Sequence, residues 1–166
     1  VKTFKLIEKM RARVPGLVLR STMIVGFPGE TQTEHQFVLD GLKEIEFDRL
    51  GAFKYSIEDG TPAGDREDQI DDQIKEQRWH AVMSTQAPIA YKKNQARVGE
   101  TTRVLIESHD PHANHYIARS AGEAPEIDGK VFVEADEGLE VGTFVDVEVN
   151  TATNYDVKAR VREAFY

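Results

Sequence analysis

The apolar pattern of this chain changes period near Gly99, and that change confines the fold to two joined parts. Before it, helical stripes alternate with short runs of branched residues. Phe4, Ile7, Met10 and Ala12 to Val14 repeat at a helical spacing that ends at Pro15-Gly16. Leu17 to Val25 is rich in branched side chains and reads as a buried strand. Gly26-Phe27-Pro28-Gly29 then turns the chain. Thr31 or Thr33 can cap a second helix, with Glu34 three residues after Thr31 completing a capping box. Its inner face is expected to carry Phe37, Val38, Leu42 and Ile45, with His35 exposed. Leu50 to Tyr55 is a second strand. Helix–strand–helix–strand implies a parallel sheet with right-handed crossovers. Two strands do not make a stable sheet covered on both faces, so this part reads as the end of a larger α/β array.

Residues 56–68 form a loop, and residues 69–95 carry the spacing of a long helix that also exposes His80. Pro88 removes one backbone donor there and crowds the Ser84 carbonyl, which predicts a kink or break over residues 84–88. Beyond Gly99 come five short runs: Thr101–Glu107, His115–Arg119, Lys130–Glu134, Thr143–Val149 and Asp156–Glu163. They are rich in Val, Ile, Phe and Thr and are separated by Gly, Pro, Asp and Asn. Such spacing predicts a small closed barrel of the OB type. The expected division is an α/β part over 1–66, a linking helix over 67–98 and an all-β barrel over 99–166.

Composition excludes several classes. No apolar run reaches the roughly 20 residues that span a bilayer, and residues 1–13 read as a charged helix rather than a secretory leader. There are 0 cysteines, hence no disulfide framework and no thiolate metal site. This is compatible with the cytoplasm. Charge is uneven: residues 1–100 net −1, whereas residues 101–166 hold 6 Lys/Arg against 13 Asp/Glu, a net −7. An acidic barrel suits a basic partner better than a phosphate backbone.

Three ordered groups of residues carry a family resemblance. The first is Arg20-Ser21-Thr22-Met23-Ile24-Val25-Gly26-Phe27-Pro28-Gly29-Glu30-Thr31. It resembles the fifth strand and following turn of radical S-adenosylmethionine (radical SAM) enzymes. The second comprises Phe53-Lys54-Tyr55-Ser56, Glu58-Asp59-Gly60-Thr61 and Asn94-Gln95-Ala96-Arg97-Val98-Gly99, which resemble the methylthiotransferase branch. The third, Arg119-Ser120 followed by Ala124-Pro125-Glu126-Ile127-Asp128-Gly129, resembles a TRAM domain. The resemblance covers nearly the whole chain. It implies a remnant of a radical SAM partial TIM barrel followed by a small TRAM barrel.

The resemblance further implies a parent that methylthiolates the β carbon of an aspartate in a small-subunit ribosomal protein. That parent would use S-adenosylmethionine and two iron–sulfur clusters. Its clusters are held by Cys thiolates, and this stretch has none, so it is expected to bind no cofactor and to be inactive alone. No catalytic residue is assigned in it. The general pattern GxIxGxxE is met only in part: Thr22 stands for the first Gly and Glu30 is one place late. No role is carried to Glu30, Ile57 or Pro88.

In the resemblance, the ends of the fifth and sixth strands flank the adenine of S-adenosylmethionine. Ile24, Gly26, Phe27, Phe53 and Tyr55 offer an apolar slot with approachable backbone, and Arg20 offers a partner for a carboxylate or ribose. Val25 and Ile24 also fit a plain barrel core. On the barrel, Arg119, Ser120, Pro125, Glu126 and Asp128 are the expected substrate contacts. His109, His112 and His115 have a spacing that gathers metals, but Asp110-Pro111 and Asn114 make that run a polar hairpin, and no metal is assigned.

The expected partner is a basic ribosomal protein, with RNA disfavoured and no membrane. Exposed strand edges are open to self-association. Two other readings stay open: the sister class that modifies tRNA adenosine, and a non-catalytic OB-type binding module. The sister class carries an Arg before the Gly-Thr of the sixth-strand loop and a basic barrel. Here Glu58-Asp59 and a net −7 stand instead.

Overall fold

Helix α1 (Lys2–Arg13) opens a computed structural model that describes residues 2–162. The predicted end of the last strand at Glu163 lies outside them. Two compact units divide between Ile89 and Ala90.

The first unit builds outward from two strands, β1 (Arg20–Val25) and β2 (Arg49–Lys54), which pair in parallel as predicted. One face, with Met23 and Val25 of β1 and Leu50 and Ala52 of β2, packs against Ile7, Leu42, Ile45 and Val82. The other face is open. Ile24 and Phe53 are register partners on it, 61% and 64% exposed. The expectation of a buried first strand is therefore corrected. Helices cover only one side of this two-stranded sheet, so alternate residues of β1 stay in solvent.

Helix α2 (Gln32–Ile45) starts at the predicted capping box: the Thr31 hydroxyl accepts from the Glu34 amide, and the Glu34 carboxylate accepts from the Thr31 amide. Its inner stripe is His35, Val38, Leu42 and Ile45, spaced three or four residues apart. Two expectations fail here. His35 is buried at 3%, because it continues that stripe by one turn. Phe37 is 53% exposed, since it stands off the stripe and stacks on Phe4 of α1 at 6.1 Å.

Helix α3 (Asp72–Gln95) is continuous through Pro88, so of the predicted kink or break no break occurs. The bond Pro88 forfeits is one of many in a 24-residue helix whose length is held by side chains. Trp79 Nε1 donates to the Ala52 carbonyl at 2.8 Å, covering the outer edge of β2, and Gln86 Nε2 donates to the Phe47 carbonyl at 2.8 Å. Beyond Ile89, Asn94 Nδ2 and Gln95 Nε2 donate to the Thr153 and Ala152 carbonyls.

The second unit is the predicted closed barrel. Its strands are β3 (Thr101–Asp110), β4 (His115–Ser120), β5 (Val131–Glu134), β6 (Phe144–Ala152) and β7 (Val157–Val161), in the order β3-β4-β5-β7-β6. All pairings are antiparallel except β5 with β7. Alternation puts Val104, Ile106, Ala118, Val131, Val133, Val147, Val149, Val157 and Ala159 inside, each at most 1% exposed. Small side chains fill this interior, and Tyr116, on the same face of β4 as Ala118, packs partly buried against them. Closure also leaves this sheet no free edge.

Gly129, before β5, lies against the Tyr155 carbonyl so closely that any Cβ would overlap it. Gly129→Ala is expected to cost about 2 kcal/mol through backbone displacement, read as a lower urea midpoint at unchanged slope.

Candidate functional site

The turn at the carboxyl end of β1 is fixed by charge buried beneath it. Gly26 and Gly29 have φ of 72° and 81°, in the left-handed region. A Cβ on Gly26 would collide with the Lys75 stem, and one on Gly29 with the Arg66–Asp68 pair. The Glu30 carboxylate folds back and accepts from the Gly26 amide at 2.5 Å. Arg78, from α3, donates to that carboxylate at 2.8 Å and to the Glu30 carbonyl at 2.9 Å. The two side chains are 13% and 8% exposed. From the other side Gly29 donates to the Asp68 carbonyl at 3.0 Å, tying the 56–71 loop to the turn.

His35 lies under this pair, its Nδ1 3.9 Å from Glu30 Oε1. Burial lowers its pKa, the Glu30 charge raises it, and the Arg78 charge lowers it; the net is below the ordinary 6.5. A neutral imidazole is thus the buried form.

Of the six residues expected at the cofactor, the fold brings Gly26, Phe27 and Tyr55 together. Tyr55 extends the ladder by donating to the Val25 carbonyl at 2.9 Å, and its ring meets Phe27 edge-on at 5.2 Å. Ile24 and Phe53 stand next to them on the open sheet face. Arg20 opens β1 at its other end, five residues or about 17 Å from Val25, so it does not join the group. Ligands of parallel sheets bind outside the carboxyl ends of the strands, which is where Gly26, Phe27 and Tyr55 lie.

Beside Tyr55 is a cleft of about 490 Å³ lined by Lys54, Tyr55, Ser56, Ile57, Asp72, Lys75 and Glu76. That volume suits a small molecule. Its charges alternate: Lys54 pairs with Glu76, and Lys75, only 5% exposed, pairs with Asp72 at 2.9 Å. The Lys75 ammonium sits 5.9 Å from the centre of the Tyr55 ring. The Tyr55 hydroxyl is buried without a hydrogen-bond partner among the described residues.

Sequence reasoning missed Glu30, Arg78, His35 and Lys75. Glu30 was visible as an acid four residues after Gly26. Arg78 lies 48 residues away from it, and no local pattern links them.

On the barrel, the five expected contacts split. Arg119 faces outward and pairs with Glu107 at 2.6 Å. Ser120 turns inward: its amide donates to Glu123 Oε2 at 2.8 Å, and its hydroxyl donates to the same oxygen. Arg97 clamps the other Glu123 oxygen at 2.6 Å. Burial pushes the Glu123 carboxyl up, but Arg97 and the Ser120 bonds outweigh it, and the net pKa is lowered. Pro125 and Glu126 are exposed, and Asp128 Oδ2 accepts from the Ala124 amide at 2.7 Å. His109 packs on Tyr116 and His115 on Phe132, at 4.4 and 4.7 Å. Among the described residues no group of three or more His, Cys, Asp or Glu is placed to hold a metal.

Residues 98–161 match the family model described as TRAM domain, and these residues contain all five barrel strands. The barrel is thus similar to a TRAM domain. Joined to it, the α/β unit shares in a likeness that extends over nearly the whole chain. The chain is 49% identical over 156 residues to the ribosomal protein uS12 methylthiotransferase RimO of Desulfitobacterium hafniense (strain Y51), covering 94% of this chain. It is 42% identical over 159 residues to the RimO of Desulforamulus reducens, and 45% identical over 159 residues to that of Chloroflexus aurantiacus. It spans about a third of the length of these relatives, 35%, 36% and 34% in turn.

Two outcomes follow from the buried pair and its histidine. Arg78→Leu strands the Glu30 charge and is expected to cost about 3 kcal/mol, measured by chemical unfolding. Above pH 6.5 folded and unfolded chains both hold His35 neutral, and its stabilisation is complete. As pH falls below 6.5 the unfolded chain takes up the proton first, so stability is lost until the lowered folded pKa is passed. In His35→Gln the fall in melting temperature between pH 6.5 and about pH 5 is expected to be shallower than in the wild type.

Proposed function

We propose that this chain is the end of the radical SAM domain and the TRAM domain of a ribosomal protein methylthiotransferase. The parent acts on the β carbon of an aspartate of uS12, in the cytoplasm. The observation that carries this reading is the likeness, at 40–49% identity over 94–96% of the chain, to proteins all bearing the RimO name. Supporting it, Gly26, Phe27 and Tyr55 gather at the carboxyl ends of parallel strands beside a cleft of suitable size.

The donor set fits one implied cofactor and not the other. The adenosyl part of S-adenosylmethionine fits the Phe27–Tyr55 corner: an exposed Phe27 ring, the Tyr55 ring edge-on to it, and a phenol with no partner among the described residues. When bound, S-adenosylmethionine would supply the radical and the methyl group. Gly26 and Phe27 would form one wall, held by Glu30 and Arg78. Ile24 and Phe53 on the open face would be covered by the remainder of the radical SAM domain. Iron–sulfur clusters find no thiolate here, because the chain has 0 cysteines. The chain alone is therefore inactive, and it binds and positions.

The barrel, net −7 over residues 101–166, docks the substrate. A basic ribosomal protein is steered by that field, whereas phosphate contacts need clustered Lys and Arg.

Anaerobic reconstitution with iron and sulfide is expected to leave the chain colourless; a stoichiometric cluster absorption overturns the assignment. Titration with uS12 is expected to show binding that weakens with salt, since screening acts over about 10 Å at 0.1 M. Tighter binding to tRNA than to uS12 moves the reading to the tRNA-modifying class.

A further inference from the structure

We propose that the barrel end formed by residues 120–129 and 152–156 is a docking surface with Ile127 and Tyr155 as its apolar anchors. It takes a Lys- and Arg-rich polypeptide segment that brings an apolar side chain of its own. The inference rests on the ribosomal-protein reading and adds to it the surface and the residues that hold the partner.

Both loops are pinned from beneath by the end of α3 and the turn after it. Asn94, fully buried, donates to the carbonyls of Thr153 and Asn154 at 3.1 and 3.2 Å, and Gln95 donates to that of Ala152 at 3.0 Å. Arg97 clamps Glu123, whose second oxygen holds the Ser120 amide. Each loop also closes on itself. Asp128 accepts from the Ala124 amide, and the Thr153 hydroxyl accepts from the Asp156 amide at 2.9 Å. The loops meet where Gly129 lies against the Tyr155 carbonyl, and Lys130 donates to Asp156 at 2.8 Å.

On this rigid base two large apolar side chains stand in solvent. Ile127 is 74% exposed, the most exposed large apolar residue among those described, and Tyr155 is 52% exposed. Single apolar residues on a surface are ordinary. Here there are two, on adjoining loops whose backbone is already ordered, so a partner meets little entropy cost in covering them. Glu126, beside Ile127, holds φ of 62°, a conformation rare outside glycine and concentrated at functional sites. The flanking charges are Glu126, Asp128 and Asp156, with Lys130 opposing them. An apolar centre with an acidic rim is the complement of a basic segment.

The test titrates the 166-residue chain with purified uS12, and separately with tRNA, by calorimetry at low and moderate salt. The variants are Ile127→Ser, Tyr155→Ser, their double, and Ile127→Val as the conservative control. Circular dichroism and melting show that each is folded; both sites are exposed and remote from the barrel core. Each serine variant is expected to bind uS12 about tenfold more weakly, the double more weakly still, and Ile127→Val near the wild type. If the wild type binds uS12 and the double variant binds it equally, the surface is overturned while the functional reading stands. If the wild type binds tRNA alone, or neither probe, both fall.

Discussion

The Glu30 carboxylate, closed in between the Gly26 amide and the Arg78 guanidinium, is the interaction on which the first unit's working end depends. A left-handed glycine at the end of a strand has no preference of its own for one turn over several. The carboxylate supplies that preference by capturing the Gly26 N–H. Arg78 in turn makes the buried carboxylate tolerable and fastens it to α3. Phe27 then meets Tyr55, and the parallel strands end in a shaped corner rather than a frayed loop.

The barrel repeats the device. Glu123 folds back onto the amide and hydroxyl of Ser120, three residues before it, and Arg97 clamps it just past the end of α3. In both units a buried acid shapes its own loop, and an arginine from α3 or the turn after it neutralises that acid. The long helix is thus more than a connection. It supplies the counter-charge at one loop and, through Asn94 and Gln95, the donors at another.

The fold was largely legible. The capping box at Thr31, the parallel order of the two strands and the five barrel strands all follow from local spacing and turn chemistry. Polarity alone misleads at two positions of α2. His35 is polar yet buried, because it continues the Val38–Leu42–Ile45 stripe, and Phe37 is apolar yet exposed, because it stands off that stripe. Pro88 predicts a kink or a break, and α3 continues through it, tied along its length by side chains.

The sequence by itself determined the elements, the closed barrel and its acidic charge, because these depend on periodicity, propensity and composition within a few residues. It also marked Arg20, Ile24, Gly26, Phe27, Phe53 and Tyr55 as candidates for one pocket. Tertiary structure decided which of those residues meet. Arg20 opens β1 at the end away from the Gly26 turn, while Arg78 and Lys75 arrive from a helix some fifty residues downstream. It decided, too, that Ser120 turns inward and Ile127 outward. Burial of charge requires a partner in space, and a partner in space leaves no mark at any fixed distance along the chain.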